Sequence, residues 1–298
     1  MTVVFQDRII YMPYMPPFAR SEKIADYAAT CRPVSWREER IRSLDGTRIS
    51  LCVGQTSHEE RAIKIESPKM VICYFQGNGG SMPPRLPLLS QVLKLIHAQK
   101  QDVQCTLVAL SYRGYWTSSG RATQKGIELD AQAMLQYVAT QYPNAQLVLW
   151  GQSIGAGVAS TAAATHVTTS ANPSLAGLIM ETPFTGVRKK WLPYRYLTPF
   201  LWNHWDSEIA LQKLSAYSKD PSRPILLLPA TRDEVVPAEE IEKLESLCKD
   251  LKLQYERKDI IGALHTEATA RREGQNAVAE FVLRQLRRDR KIHDRRRA

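Results

Sequence analysis

The stretch that most restricts how this chain can fold is a joint near its middle. A strand-length apolar run, Gln146 to Trp150, passes through Gly151-Gln152-Ser153-Ile154-Gly155 directly into a segment of helical composition, Ile154 to Thr165. A chain that turns from strand to helix within five residues brings the two elements into close approach. The residues two before and two after the central serine must therefore lack bulk. Both are glycine, and Ala156 and Gly157 carry the small side chains on into the helix. Such a joint holds Ser153 at a strained turn, with the free N–H groups and partial positive charge of a helix N-terminus aimed at its oxygen. A serine in a tight turn can be inert; this one, between a strand and a helix, reads as a nucleophile.

Around the joint, short apolar runs alternate with helical spacing. Met70 to Phe75, Cys105 to Leu110, Leu175 to Met180 and Ile225 to Leu228 have strand length, and Leu251 to Tyr255 predicts a further short strand. Leu86 to Ala98, Ile127 to Tyr142, Ala238 to Lys249 and Ala268 to Arg287 have helical spacing. Strands separated by such helices imply a mostly parallel central sheet covered on both faces. Between Trp36 and Val53, Asp45-Gly46 predicts a hairpin turn, followed by alternating Ile49, Leu51 and Val53. The expected organisation is an N-terminal extension over 1–33, one α/β domain over 34–286 with an insertion at about 184–206, and a basic tail over 287–298.

Several classes are excluded. No apolar run approaches the about 18 residues of a membrane-spanning helix. Met1 to Ile10 lacks the basic-then-apolar order of a secretory signal. Five cysteines without a Cys-x-x-Cys pair point to free thiols in a reducing compartment, not to a disulfide framework or a zinc site. The net charge of +10 is concentrated from Arg284 onward, where eight Lys/Arg stand against two Asp. That tail has no aromatic residue for base stacking, which argues against nucleic acid. It reads as a solvated helix end or as a contact with an anionic membrane surface.

Serine is a weak nucleophile until a base takes its proton. In strand–serine–helix enzymes the chain order is serine, acid, histidine. His58 and His97 come too early, His166 ends the helix after Ser153, and His293 lies in the tail. His204 precedes any strand that could carry the acid. His265, after Ile261-Gly262-Ala263-Leu264 and before the last helix, is the expected base. Asp233, just beyond the Ile225–Pro229 strand, is the expected acid, with Glu181 and its neighbour Glu234 as alternatives. The acid would hold the imidazole tautomer and stabilise imidazolium. Two N–H donors are needed for the oxyanion: Ile154, next after the serine, and Asn78 in Gln76-Gly77-Asn78-Gly79-Gly80. That glycine-rich loop has neither Gly-Lys-Ser/Thr nor Gly-x-Gly-x-x-Gly, so it is not read as a phosphate loop.

The insertion holds Trp191, Tyr194, Tyr196, Phe200, Trp202 and Trp205. It is expected to form a lid, with Trp191, Trp202 and Trp205 lining an apolar acyl pocket; ordinary packing on the domain is the alternative. Arg188, Lys189, Lys190 and Arg195 read as a solvated surface, with contact to an anionic surface or acidic head group as the alternative.

From about Val34 to Leu286 these segments resemble the α/β-hydrolase superfamily. More narrowly, Tyr74-Phe75-Gln76-Gly77-Asn78-Gly79-Gly80, Tyr112-Arg113-Gly114-Tyr115, the Ser153 joint, Glu181-Thr182-Pro183-Phe184-Thr185 and Asp233-Glu234-Val235-Val236-Pro237 resemble one branch. It comprises the small intracellular α/β-hydrolase domain-containing proteins and the fungal bud-emergence-related hydrolases. Arg8-Ile9-Ile10-Tyr11-Met12-Pro13 resembles the start of their soluble part. Gln76 stands where relatives usually have histidine, and no glycine directly precedes His265. Members often carry an N-terminal membrane anchor, which the opening of this chain lacks. The resemblance implies Ser153, Asp233 and His265 as the triad and Asn78 and Ile154 as oxyanion donors. It also implies an intracellular, cytoplasmic or peripheral-membrane location; some members cleave palmitoyl thioesters.

The expected activity is a serine hydrolase cleaving ester or thioester bonds of small acyl or lipid-like substrates, as a monomer without metal or organic cofactor. A peptidase or amidase on the same residues, or a silent ligand-binding member, are the alternatives.

Overall fold

The computed structural model describes residues 7, 10–56, 69–99, 103–169, 174–186, 203–217 and 223–286, with the helical backbone continuing over 287–297. Eight strands form one sheet: β1 (Val34–Arg42), β2 (Arg48–Thr56), β3 (Lys69–Phe75), β4 (Gln104–Ser111), β5 (Gln146–Gln152), β6 (Leu175–Glu181), β7 (Ile225–Leu228) and β8 (Tyr255–Arg257). Their spatial order is β1-β2-β4-β3-β5-β6-β7-β8. β1 and β2 pair antiparallel around Gly46, whose φ of 84° fits the predicted turn, and β2 runs antiparallel to β4. The other pairings are parallel.

Because side chains alternate across a strand, each strand supplies two cores. Val71, Cys73 and Phe75 of β3 join the core beneath α3 (Gln124–Gln141), α4 (Ile154–Thr168), α5 (Ser207–Tyr217) and α6 (Ala238–Asp250). Met70, Ile72 and Tyr74 face α1 (Ile24–Cys31), α2 (Leu86–Gln99) and α7 (Arg272–Arg297). The five cysteines are free thiols. This is the α/β-hydrolase fold, with the helices on both faces that the alternation implied.

Four elements differ from expectation. Leu251 to Leu253 do not extend a strand. They wind off the end of α6, with Lys252 at a φ of 53° and the Leu253 N–H on the Cys248 carbonyl, so β8 begins at Tyr255. The last helix starts at Arg272, not Ala268: residues 265–270 form turns, and the Glu181 carboxylate accepts both the N–H and the hydroxyl of Thr269. α1 and α5 are short helices that the sequence reading does not include.

The extension before β1 does not stand apart from the domain. Ile10 and Tyr11 are buried in one core and Cys31 in the other. Of the aromatic insertion, residues 187–202 lie outside the described residues, and Trp191 and Trp202 with them.

Candidate active site

The geometry at Ser153 follows from crowding between β5 and α4. A Cβ on Gly151 would stand 2.0 Å from the Gly155 carbonyl oxygen, and one on Gly155 would stand 2.1 Å from that of Phe75. No side chain fits at either place, which is the physical content of the glycine spacing. The turn puts Ser153 at φ 55° and ψ −120°, a left-handed conformation that a side chain rarely adopts. Two backbone bonds hold it there. The Ser153 N–H donates to the Glu181 carbonyl (2.8 Å), and the Ala156 N–H donates to the Ser153 carbonyl (2.8 Å).

Oγ of Ser153 lies 2.8 Å from Nε2 of His265, 112 residues later in the chain. Nδ1 of the same ring lies 2.8 Å from Oδ2 and 3.0 Å from Oδ1 of Asp233. A carboxylate only accepts, so Nδ1 carries the proton and Nε2 presents its lone pair to the serine hydroxyl. His265 is buried. Burial opposes the charge on Asp233, but hydrogen bonds from His265 and from the N–H groups of Val236 (2.6 Å) and Val235 (2.8 Å) outweigh it and hold the carboxyl below its usual range.

The loops carrying acid and histidine are fastened to one another. The Arg232 N–H donates to the Ala263 carbonyl, the Gly262 N–H to the Thr231 hydroxyl, and the His265 N–H to the Glu234 carboxylate. Glu234 thus fixes the backbone of His265 while Asp233 takes its ring. Arg271 closes the far side through the carbonyls of Ile261 and Gly262.

Glu181 takes a different role from the acid considered for it. Fully buried below the serine, it accepts from Trp150 Nε1 (3.0 Å), Gln152 Nε2 (3.3 Å), the Thr269 N–H (3.1 Å) and the Thr269 hydroxyl (2.6 Å). Burial pushes its carboxyl above the usual range despite these donors. Gln152, beside the serine, is in turn held by Arg85 at 2.8 Å. Arg85 and Thr269 stand in no motif, so only the assembled chain reveals them.

On the other side, the glycine-rich loop runs against the serine: a Cβ on Gly77 would be 3.6 Å from Cβ of Ser153. The side chain of Asn78 turns away from the site. Its Oδ1 accepts from Gly79 N–H, Met12 N–H and the Tyr115 hydroxyl, and its Nδ2 donates to the Ile10 carbonyl. The backbone N–H groups of Asn78 and Ile154 make no hydrogen bond among the described residues. Gln76 is wholly buried, and neither atom of its amide has a partner among the described residues.

Trp205 requires a correction. Expected in a pocket wall, it is completely buried, with its Cβ seated over Gly157 and its Nε1 donating to the Tyr11 hydroxyl at 2.9 Å. A side chain with no accessible surface lines no cavity that a substrate could enter; Trp205 is core. No group of metal-ligating side chains occurs among the described residues, and no helix among them is long and apolar enough to cross a membrane.

Known proteins are similar to this chain in sequence and in fold. The model of the alpha/beta hydrolase fold family matches residues 71–220. The Arabidopsis thaliana alpha/beta hydrolase domain-containing protein WAV2 is 28% identical over 79% of this chain and 73% of its own length. Protein bem46 of Schizosaccharomyces pombe is 27% identical over 65% of this chain and 62% of its own. The Danio rerio lysophosphatidylserine lipase ABHD12 is 29% identical over 73% of this chain, which spans 53% of that protein. Among solved structures, an alpha-beta hydrolase from Vibrio vulnificus superposes with a TM-score of 0.64 at 18% identity, over 95% of this chain and 91% of that one. A Pyrobaculum calidifontis esterase gives 0.60 at 17% identity, over 96% and 98%.

Proposed function

Because the chain belongs to the alpha/beta hydrolase fold family, we propose that it is a serine hydrolase cleaving carboxylic esters through an acyl-enzyme, with Ser153 as nucleophile, His265 as base and Asp233 as its orienting acid. The observation that carries this reading is the continuous contact from Asp233 Oδ2 to His265 Nδ1 and from Nε2 to Ser153 Oγ, 2.8 Å at each step. As Oγ bonds to the acyl carbon, its proton passes to Nε2, and the imidazolium is stabilised by the Asp233 carboxylate. The carbonyl oxygen gains the negative charge and takes the N–H groups of Ile154 and Asn78. Collapse breaks the acyl–oxygen bond, and the leaving alkoxide takes the proton from Nε2. Water then repeats the sequence on the acyl-enzyme, releasing the acid and restoring Ser153.

The substrate class we favour is the acyl ester of a lipid. It is supported by the relative named a lysophosphatidylserine lipase, of which this chain spans about half. Thioesters are open to the same machinery.

Labelling with a fluorophosphonate tests the chemistry: the wild type should be labelled and Ser153→Ala should not. Equal labelling of both would end the proposal. Hydrolysis of p-nitrophenyl esters and matched thioesters of graded chain length then reports the preferred acyl length and leaving group.

A further inference from the structure

Beside the site, the sheet's carboxyl edge carries a protruding apolar tip next to a cleft lined by arginine. Ten large hydrophobic side chains are exposed among the described residues, and four of them, Met12, Tyr14, Met15 and Phe18, fall within seven positions. Phe18 is 86% exposed, Tyr14 67% and Met15 57%. Scattered exposed apolar residues need no explanation, but a cluster of aromatic and methionine side chains on one short segment does.

This segment is rigidly tied down. Met15 N–H donates to Met12, Ala19 N–H to Pro16 and Ser21 N–H to Phe18, while Arg20 donates to the carbonyls of Trp116 (2.9 Å) and Ser118 (3.2 Å). The Met15 carbonyl accepts the N–H of Gly80, two residues from Asn78, which sets the tip at the rim of the proposed site. Its side chains are thus presented without further ordering of the backbone, which lowers the entropic cost of engaging a partner.

Arg20 joins the tip to the cleft, its guanidinium 5.8 Å from the centre of the Tyr14 ring. With Arg40, Arg42 and Arg48 it surrounds a cleft of about 590 Å³ beside Trp116. The nearby Glu38 is taken by Arg40 and by the hydroxyls of Ser50 and Thr117. Arg48 makes no side-chain bond among the described residues. The cleft therefore has a net positive charge with unengaged donors, next to side chains suited to the boundary between lipid head groups and acyl chains.

We propose that this edge docks on an anionic lipid surface: Tyr14, Met15 and Phe18 enter the boundary between head groups and acyl chains, and the four arginines bind head-group phosphates. The tip is three protruding side chains on one short segment. A bilayer accepts such a tip without a matching shape. Docking goes beyond the hydrolytic reading and does not depend on it.

Sedimentation of the full chain with vesicles tests this, using phosphatidylcholine alone and an equimolar mixture with phosphatidylserine. The wild type should sediment with the mixed vesicles and much less with phosphatidylcholine alone. Tyr14→Ser with Phe18→Ser, and separately Arg42→Glu with Arg48→Glu, should each weaken binding at least about tenfold. Both variants should keep the wild-type melting temperature and rate on soluble p-nitrophenyl acetate. Replacing Arg295, Arg296 and Arg297 by Gln should leave most of the binding. Absence of wild-type binding, wild-type binding by both the tip and cleft variants, or loss only in the tail variant overturns the proposal. A wild type that sediments but hydrolyses nothing supports docking and counts against the hydrolytic reading alone.

Discussion

Glu181 and Thr269 join the two halves of the candidate site. The carboxylate accepts both the N–H and the hydroxyl of Thr269, four residues beyond His265, while the Glu181 carbonyl accepts the N–H of Ser153. The end of one strand thereby holds the serine turn and the histidine loop at once, and spacing between Ser153 and His265 depends on it.

Glu181→Gln tests this. One oxygen would become an NH₂ group and could no longer accept, leaving Trp150 Nε1 or the Thr269 donors unpaired in a dry environment. We expect a loss of about 1–3 kcal/mol in unfolding free energy and a fall in kcat of about tenfold with KM nearly unchanged. Denaturant titration and steady-state kinetics measure the two effects. Unaltered kcat in a folded protein would show that the tie does not position the serine and histidine.

Stability should depend on pH in opposite senses at the two buried carboxyls. Glu181, raised by burial, contributes stability that is full below the ordinary glutamate pKa of about 4.3 and declines as pH rises through its higher folded value. Asp233, lowered by its donors, contributes stability present above about 3.9 and lost as pH falls through its lower folded value. The stability gap between wild type and Glu181→Gln should therefore narrow as pH rises. The gap between wild type and Asp233→Asn should shrink as the solution is acidified. Parallel denaturation series at several pH values read both.

Asp233→Asn should also reduce kcat by about 10³–10⁴-fold while the fold persists. An amide can donate to Nδ1, which moves the ring proton to Nε2 and removes the acceptor for the serine hydroxyl. A steady-state assay on a short p-nitrophenyl ester gives the ratio; a loss below tenfold would mean that another group orients His265.

At Gln76 a substitution should help. Its buried amide has no partner among the described residues, so Gln76→Met, similar in volume, should raise stability by about 1–3 kcal/mol, the cost of an unpaired buried polar group. Thermal unfolding decides it, and a lower melting temperature would reveal a partner, such as a bound water, for that amide.

Gly155 and Gly80 separate crowding from backbone strain. Gly155→Ala forces a Cβ to 2.1 Å from a carbonyl oxygen and should abolish soluble folded protein or activity. Gly80→Ala meets no atom within 4 Å, so only its φ of 72° matters, at about 1–2 kcal/mol. Expression and melting temperature of the two variants should differ accordingly.

Much of this was legible in one dimension because it rests on local rules. Crowding at a strand-to-helix turn demands glycine at 151 and 155 whatever surrounds it. The serine–acid–histidine order selected Asp233 and His265 from several acids and six histidines, since each must sit at the end of its own strand. Helix and strand spans followed apolar periodicity. They failed where the chain winds through turns that no period marks: residues 265–270, with Thr269 bonded to Glu181, precede a helix that begins only at Arg272.

By itself, then, the amino-acid order determined the sheet, its helical covers and which residues stand at its carboxyl edge, because those follow from backbone sterics and burial period. Only the tertiary structure decided that Trp205 is core, that Glu181 braces the serine turn instead of serving His265, and that the segment before β1 holds Asn78 and presents Phe18 to solvent. Each of those outcomes is a contact between residues far apart in sequence, and no periodicity or motif encodes which distant partner will arrive.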